Sequence, residues 1–380
     1  MKKTKKIIVF ITFSLSEINV LLPLFAALKS DNNIEISIIF TVKKIHTQYI
    51  QSPFYNYCEN QLELITNLYY IPNKFDNNYK LNLSIVRKVI KKINYIYWVL
   101  KTLPILVVKI LSSDICMHDF SNQAGSTRVL YLLHAIVKKQ ILTYHHGNEI
   151  TIDKTPCSKR IDSDKSTILL FGSHNSKYMK EVGYDRQFVI GYPIFFQEWR
   201  KLVNSYCKQL NFQDQTVLIY SRHITDRYMD LDKYVELLSS SLRVIRAKCN
   251  NIEIIIKPHP REDIEMINKI IKIQKISNVS ISYEHPAVLA KSAKMAITFW
   301  GSVILESLSM DVPTVEYYKE ADKFREDYPS GSNYKAAGIH SVSSEEGLEI
   351  FVDSVIDKSY KFPSIISEFK KVKNTEIFFT

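Results

Sequence analysis

Short apolar runs alternate with stretches whose apolar residues recur at helical spacing. Strand-like runs fall at 6–12, 34–41, 113–118, 139–144, 167–171 and 187–190, with helix-like spacing at 18–29, 83–111 and 124–137. A second series begins with a strand at 216–221. It continues as helix 230–248, strand 252–257, helix 262–272, strand 278–282, helix 286–292, strand 294–298, helix 302–309, strand 313–317 and helix 344–357. Strands that alternate with helices pair in parallel through crossover connections. The pattern therefore predicts an α/β protein of two Rossmann-like, doubly wound domains facing a central cleft. The boundary is expected near 193–215, after "VIGYP". Domains are placed at 1–195 and 196–360, with 361–380 as a helix packing back on the first.

The start, "MKKTKKIIVFITFSLSEINVLLPLFAALKS", has a basic beginning and apolar residues after it. Ser14, Ser16, Glu17 and Asn19 break the run and no small-residue cleavage site follows, so it reads as strand, loop and helix rather than a leader. No uncharged apolar run reaches the ~18 residues of a membrane span. Residues 93–113 come nearest, but Lys101, Pro104 and Lys109 interrupt them. That stretch is expected to be a buried or surface-lying amphipathic helix. With "RKVIKK" before it, it is a candidate for peripheral contact with an anionic membrane; a solvated basic face is the other reading.

Composition narrows the class. Of 380 residues, 46% are hydrophobic and 23% charged, which suits a core-forming globular protein. A net charge of +11 favours anionic partners such as nucleotide phosphates, acidic glycans or membrane surfaces. No nucleic-acid-binding spacing is present, and no nucleic-acid partner is expected. Five scattered cysteines without CxxC spacing fit reduced thiols and a cytoplasmic location. Nine glycines, with no GxGxxG and no GxxxxGK[ST], leave no glycine-rich phosphate loop.

Ligands of open α/β sheets bind at the carboxyl ends of strands, and the polar clusters stand at such ends. Lys257-Pro258-His259-Pro260 closes one strand in a stiff loop, where Lys257 and His259 can face a phosphate or a departing oxyanion. Gly301-Ser302 opens a helix whose bare N–H groups can take phosphate, and Glu306 follows one turn on, suited to ribose hydroxyls. The alternative makes Ser302 a simple N-cap with Glu306 in solvent. "YSRH" puts Ser221, Arg222 and His223 at the first strand end of the second half. "YHHGNE" offers His145, His146 and Glu149, of which His146 beside Gly147 is preferred for the cleft; a His-His-Glu metal set lacks a third ligand of recognisable spacing. "MHDF" ends its strand in His118 and Asp119, and Asp119 is either a helix-start residue or a catalytic carboxylate.

Taken in order, "HG" at 146–147, "GSHNSKYM", "GYP", "YSRH", "KPHP" and "WGSVILESL…VPTVEY" resemble bacterial surface-polysaccharide transferases of the GT-B fold with an HP motif. That branch includes sialyl-, polysialyl- and Kdo-type transferases using CMP-sugars, and CDP-glycerol glycerophosphotransferases. The resemblance covers roughly 140–320. It implies His259 and Ser302 at the donor phosphate, Glu306 near the ribose and His146 near the reacting centre. A single Ser302 stands where the glycerophosphotransferases carry a Ser pair, and of the sialyltransferase acidic pair only Asp119 is kept. A glycosyl donor is accordingly favoured.

The expected function is transfer of an acidic sugar from a CMP-activated donor to a bacterial surface glycan. Lys257, His259 and Ser302 would hold the leaving phosphate, and Asp119, Glu149 or His146 would deprotonate the acceptor hydroxyl. No metal and no cofactor beyond the donor are expected. The two DxD matches, 162–164 and 230–232, do not follow strands. Alternatives are a CDP-glycerol or UDP/GDP-hexose transferase, a sugar-nucleotide 2-epimerase, and a non-catalytic glycan- or membrane-binding export component.

Overall fold

The computed structural model describes residues 4–12, 14–30, 33–69, 93, 96–97, 100–120, 139–144, 164, 166–210, 216–225, 228–320, 322–327 and 331–379. They form two compact units. One takes the described residues up to Pro193 together with those from Lys373 on; the other takes the described residues of Ile194–Val372.

The first unit holds strands β1 (Lys5–Ile11), β2 (Ile34–Phe40), β3 (Ile65–Leu68), β4 (Ile115–Asp119), β5 (Gln140–Tyr144), β6 (Thr167–Leu170) and β7 (Gln187–Val189). They pair in parallel in the order β3-β2-β1-β4-β5-β6-β7. The order reverses between β1 and β4. Apolar runs such as Ile7–Ile11 are buried because helices cover both faces of a parallel sheet. Helix Leu15–Lys29 leaves β1 through a turn shaped by one carboxylate. Glu17, fully buried, accepts the Thr12 N–H at 3.1 Å, the Ser14 N–H at 2.9 Å and the Tyr144 hydroxyl at 3.3 Å.

The second unit holds β8 (Thr216–Tyr220), β9 (Glu253–Lys257), β10 (Val279–Ile281), β11 (Ala293–Thr298), β12 (Thr314–Tyr317) and β13 (Ser341–Val342). All pairs are parallel, in the order β10-β9-β8-β11-β12-β13. Here the reversal lies between β8 and β11. Helix Leu231–Lys248 is capped by Asp230, which accepts the Lys233 N–H at 2.8 Å, and helix Ile264–Gln274 by Asp263, which accepts the Glu265 N–H at 3.0 Å. Their apolar faces (Leu237, Leu238, Leu242, Ile245, Ile267, Ile270) join Val217, Ile219, Ile254 and Ile256 in one core.

Two strands were not expected. β3 is half exposed and carries two polar residues in four, and β13 has only two residues, so neither makes a legible apolar run. Helices Lys43–Ile50 and Pro53–Gln61 were also unforeseen. The stretch after "GYP" is a helix, Gln197–Leu210, and not merely a connection; Trp199, Val203, Tyr206 and Cys207 bury its inner side. The expected helix 83–111 is described only in part: the described residues of 93–101 are helical, and Leu103–Ser112 forms a further helix. The expected helix 124–137 lies outside the described residues. The C-terminal expectation needs correction. Helix Ser364–Lys371 belongs to the second unit, where Phe369 meets Phe195 and Lys370 pairs with Asp311 at 2.6 Å. Only from Lys373 does the chain return to the first unit, where the Asn374 N–H donates to the Ile190 carbonyl at 3.0 Å.

Candidate functional site

In the second unit the reversal of strand order between β8 and β11 leaves a crevice at their carboxyl ends, the usual ligand position of such sheets. Five of the residues singled out in the sequence meet there: Ser221, Arg222, His223, His259 and Gly301. Arg222 leaves the end of β8 and crosses to the end of β11. Its Nη1 donates to the Trp300 carbonyl at 2.7 Å, and the guanidinium lies 3.9 Å from the Trp300 ring centroid. Trp300 has φ +65°, a left-handed conformation that costs a non-glycine residue about 1–2 kcal/mol. The ring is fixed by neighbours: Tyr318 stacks on it at 5.7 Å, and Phe324 and Tyr228 meet it edge-on at 4.8 and 5.1 Å. The left-handed backbone at this strand end is thus held by aromatic packing.

His259 stands in the proline-flanked turn after β9. Its Nδ1 accepts the Arg261 N–H at 3.2 Å, so in the neutral ring the proton is on Nε2, which is a donor. Burial, with His223, Arg222, Arg261 and Lys257 nearby, pushes its pKa down to about 3. His259 is therefore a neutral N–H donor at physiological pH. Its ring stacks on His223, centroids 4.2 Å apart. Burial, then Arg222 and Arg261, lower the His223 pKa as well. His223 Nδ1 is buried and has no hydrogen-bond partner among the described residues.

Lys257, at the end of β9, donates to the Tyr283 carbonyl at 3.3 Å, and burial pushes its pKa down to about 8 although Glu284 favours the charged form. Helix Val303–Ser309 begins at Gly301-Ser302. The Gly301 and Ser302 carbonyls accept from Ile304 and Leu305, while the N–H groups of Gly301, Ser302 and Val303 meet no acceptor among the described residues. Ser302 makes no side-chain cap. Glu306 is buried, 4% exposed, and not in solvent. Neither half of the simple-cap reading holds.

One carboxylate organises this site and was not foreseen. Glu262 Oε2 accepts the Ser221 hydroxyl at 2.9 Å and the His259 N–H, and Oε1 accepts the Tyr234 hydroxyl at 2.7 Å. Ser221 is thereby committed to the loop and does not present a free hydroxyl. Burial raises the Glu262 pKa, against the opposing effect of its hydrogen bonds from Tyr234, His259 and Ser221. His285 was missed too. Buried at the start of helix Pro286–Ser292, it accepts the Ala287 N–H on Nδ1 at 3.2 Å, and burial and Lys257 push its pKa down to about 3. Its signal was a second His-Pro pair after a strand.

In the first unit, His118 and Asp119 end β4, and both are fully buried. His118 lies 3.1 Å through Nδ1 from the Asp119 carbonyl. His145, His146 and Glu149 lie outside the described residues. Asp230 of the second DxD match is a helix cap. Among the described residues, no three His, Cys, Asp or Glu side chains gather as a metal-binding group.

No protein-family model matches the chain, and no curated protein matches it. Solved structures do. The UDP-GlcNAc 2-epimerase of Methanocaldococcus jannaschii is 14% identical, with a TM-score of 0.55 over 94% of this chain and 94% of that one. Anabaena Alr3699/HepE is 9% identical, TM-score 0.54, covering 96% and 94%. S. aureus MnaA is 12% identical, TM-score 0.53, covering 97% and 91%. The fold is therefore that of the GT-B class, two Rossmann-like domains in one chain. Glycosyltransferases and sugar-nucleotide 2-epimerases share it.

Proposed function

We propose that the chain is a nucleotide-sugar-dependent glycosyltransferase, with a CMP-activated acidic sugar as donor and a surface glycan as acceptor. The observation that carries it is the convergence of Arg222, the His259 Nε2–H and the unpaired N–H groups of Gly301, Ser302 and Val303 at the β8/β11 crevice. Such a set of one cation and several neutral donors suits a phosphate that gains charge as it leaves. In the reaction the acceptor oxygen attacks the anomeric carbon while the carbon–phosphate-oxygen bond breaks. The electron pair leaves on the phosphate of CMP, and the acceptor proton passes to a base. Asp119, Glu149 or His146 takes that role; the resemblance implies His146 near the reacting centre. Glu306 and Lys257 are assigned to the nucleotide side. The donors at the crevice take over the charge stabilisation for which other transferases use a metal ion.

A UDP-sugar donor is the second reading. It is favoured by Anabaena HepE, solved with UDP and glucose, and S. aureus MnaA, solved with UDP. The choice is tested by incubating the protein with CMP-, UDP-, GDP- and CDP-linked donors and measuring free nucleotide, with and without EDTA. The proposal expects CMP release at a rate that EDTA changes by no more than a few-fold. UDP release alone moves the assignment to the second reading. No nucleotide release from any donor, with or without glycan acceptors, rejects transferase activity.

A further inference from the structure

The described residues of 93–112 in the first unit present an apolar stripe outward. Ile93, Ile96, Tyr97 and Leu100 follow one another at spacings of three, one and three, one face of a helix, and all are exposed, Leu100 at 73%. The next helix, Leu103–Ser112, continues the stripe with Ile105, Val108 and Leu111, Val108 at 64%. The opposite side of that helix is already used, since Leu106 and Ile110 pack on Ile8, Phe10, Ile39 and Cys116. A helix on a solvated surface turns charged or polar residues outward. This one has an apolar side in the core and a second apolar side in solvent.

Charge says what covers the stripe. Lys101 lies within it and Lys109 beside it; Lys101 Nζ donates to the Tyr97 hydroxyl at 2.7 Å, and Lys109 Nζ sits 5.8 Å from the Tyr69 ring. The partner of each cation is thus an aromatic side chain. Between Asp76 and Asp114 the sequence has no acidic residue and seven basic ones, four of them in Arg87–Lys92. Exposed apolar side chains among cations, without one carboxylate, are the surface of a helix that lies in a lipid interface: the apolar groups enter the acyl boundary and the cations meet anionic headgroups. A second copy of the chain fits less well, because a self-complementary contact would set this basic face against itself. No helix of the described residues is long and apolar enough to cross a membrane, so the contact is peripheral.

We infer that residues 93–112 dock the protein on an anionic lipid surface. This does not rest on the nucleotide-sugar reading, and its test uses no nucleotide. Full-length protein is floated with vesicles of phosphatidylcholine alone or with about 30% phosphatidylglycerol, at about 0.1 and 0.5 M salt. The comparison is Leu100→Glu/Val108→Glu, two exposed positions outside the core and the candidate site, with circular dichroism and gel filtration for both proteins. Flotation with the anionic vesicles, weakened at least tenfold by the higher salt and at least tenfold by the double substitution, supports the proposal. The salt series on the unaltered protein stands whether or not the variant folds. No flotation with anionic vesicles overturns it, as does equal flotation of wild type and a folded variant. A dimer that the substitutions dissociate, without vesicle binding, overturns it in favour of self-association.

Discussion

His259 keeps its proton on Nε2 because Arg261 already occupies its Nδ1, and it stays neutral because burial and surrounding cations oppose a second proton. Removing it as His259→Ala is expected to lower turnover about 10²–10³-fold, the effect of losing one preorganised oxyanion donor. Turnover near wild type in a folded variant would remove it from the mechanism. Gly301 gives a sharper test of ligand approach. A Cβ built there meets only Arg222 and Val303, at 3.8 and 4.0 Å, which is ordinary contact. Gly301→Ala should therefore leave the melting temperature almost unchanged and weaken nucleotide binding at least tenfold; a parallel loss of both would mean that the glycine serves the fold. Lys257 should set a pH dependence. Its pKa is lowered to about 8, so nucleotide affinity falls as pH rises above that value and the free protein loses the cation. The same shift makes stability rise between about pH 8 and 10.5, because the unfolded chain binds the proton that the folded one has lost. Lys257→Met should flatten both trends. These roles were partly legible in the sequence: "KPHP" and "WGS" stop apolar runs abruptly, and a strand end is where polar groups can meet a ligand. Glu262 was not, because an acidic residue after a turn reads as the start of a helix. Its partners Ser221 and Tyr234 are 41 and 28 positions away.

Among elements, the strand-end loops are held by carboxylates rather than by glycines. Glu262 joins the end of β8, the turn after β9 and helix Leu231–Lys248; Glu17 joins the turn after β1 to the end of β5. Replacing Glu262 by Ala leaves a hydroxyl pair and a backbone N–H without their acceptor. A loss of about 2–4 kcal/mol is expected in denaturant unfolding, by the cost of orphaned buried donors. A loss below about 1 kcal/mol would show that the loop stands without it. One strand in from the β13 edge, Glu316 on β12 accepts the hydroxyls of Ser332 and Ser341 at 2.7 and 2.8 Å, and burial pushes its pKa up to about 7. Because the folded state holds this proton more tightly than the unfolded chain, stability declines as pH rises from about 4.5 to 7. Glu316→Gln is expected to remove that decline. Melting curves of both proteins from pH 4.5 to 8 check it, and a constant difference between them would contradict it. The buried strands were readable as runs rich in Ile and Val. β3, with Thr66 and Asn67, and the two-residue β13 were not, since both are defined by their pairing with β2 and β12 rather than by their own composition.

For the whole molecule, the account places nucleotide recognition in the second unit alone, at the reversal between β8 and β11, with Arg222 as the charged centre and Trp300 as its support. The alternating pattern was enough to read two doubly wound halves. It was not enough to read where the chain returns, because the contacts that hold the segment after Lys373 on the first unit, Asn374 N–H to the Ile190 carbonyl, the Gln140 side-chain amide to the Ile377 carbonyl and the buried Phe378, leave no periodic pattern. The most direct measurement is calorimetric titration of CMP, CDP, UDP and GDP into the full-length protein and into Arg222→Ala, with unfolding curves for both. The account predicts saturable binding of at least one pyrimidine nucleotide to the wild type, weakened more than tenfold in a variant that remains folded. Saturable binding that Arg222→Ala leaves unchanged, or no binding of any of the four nucleotides, would contradict it.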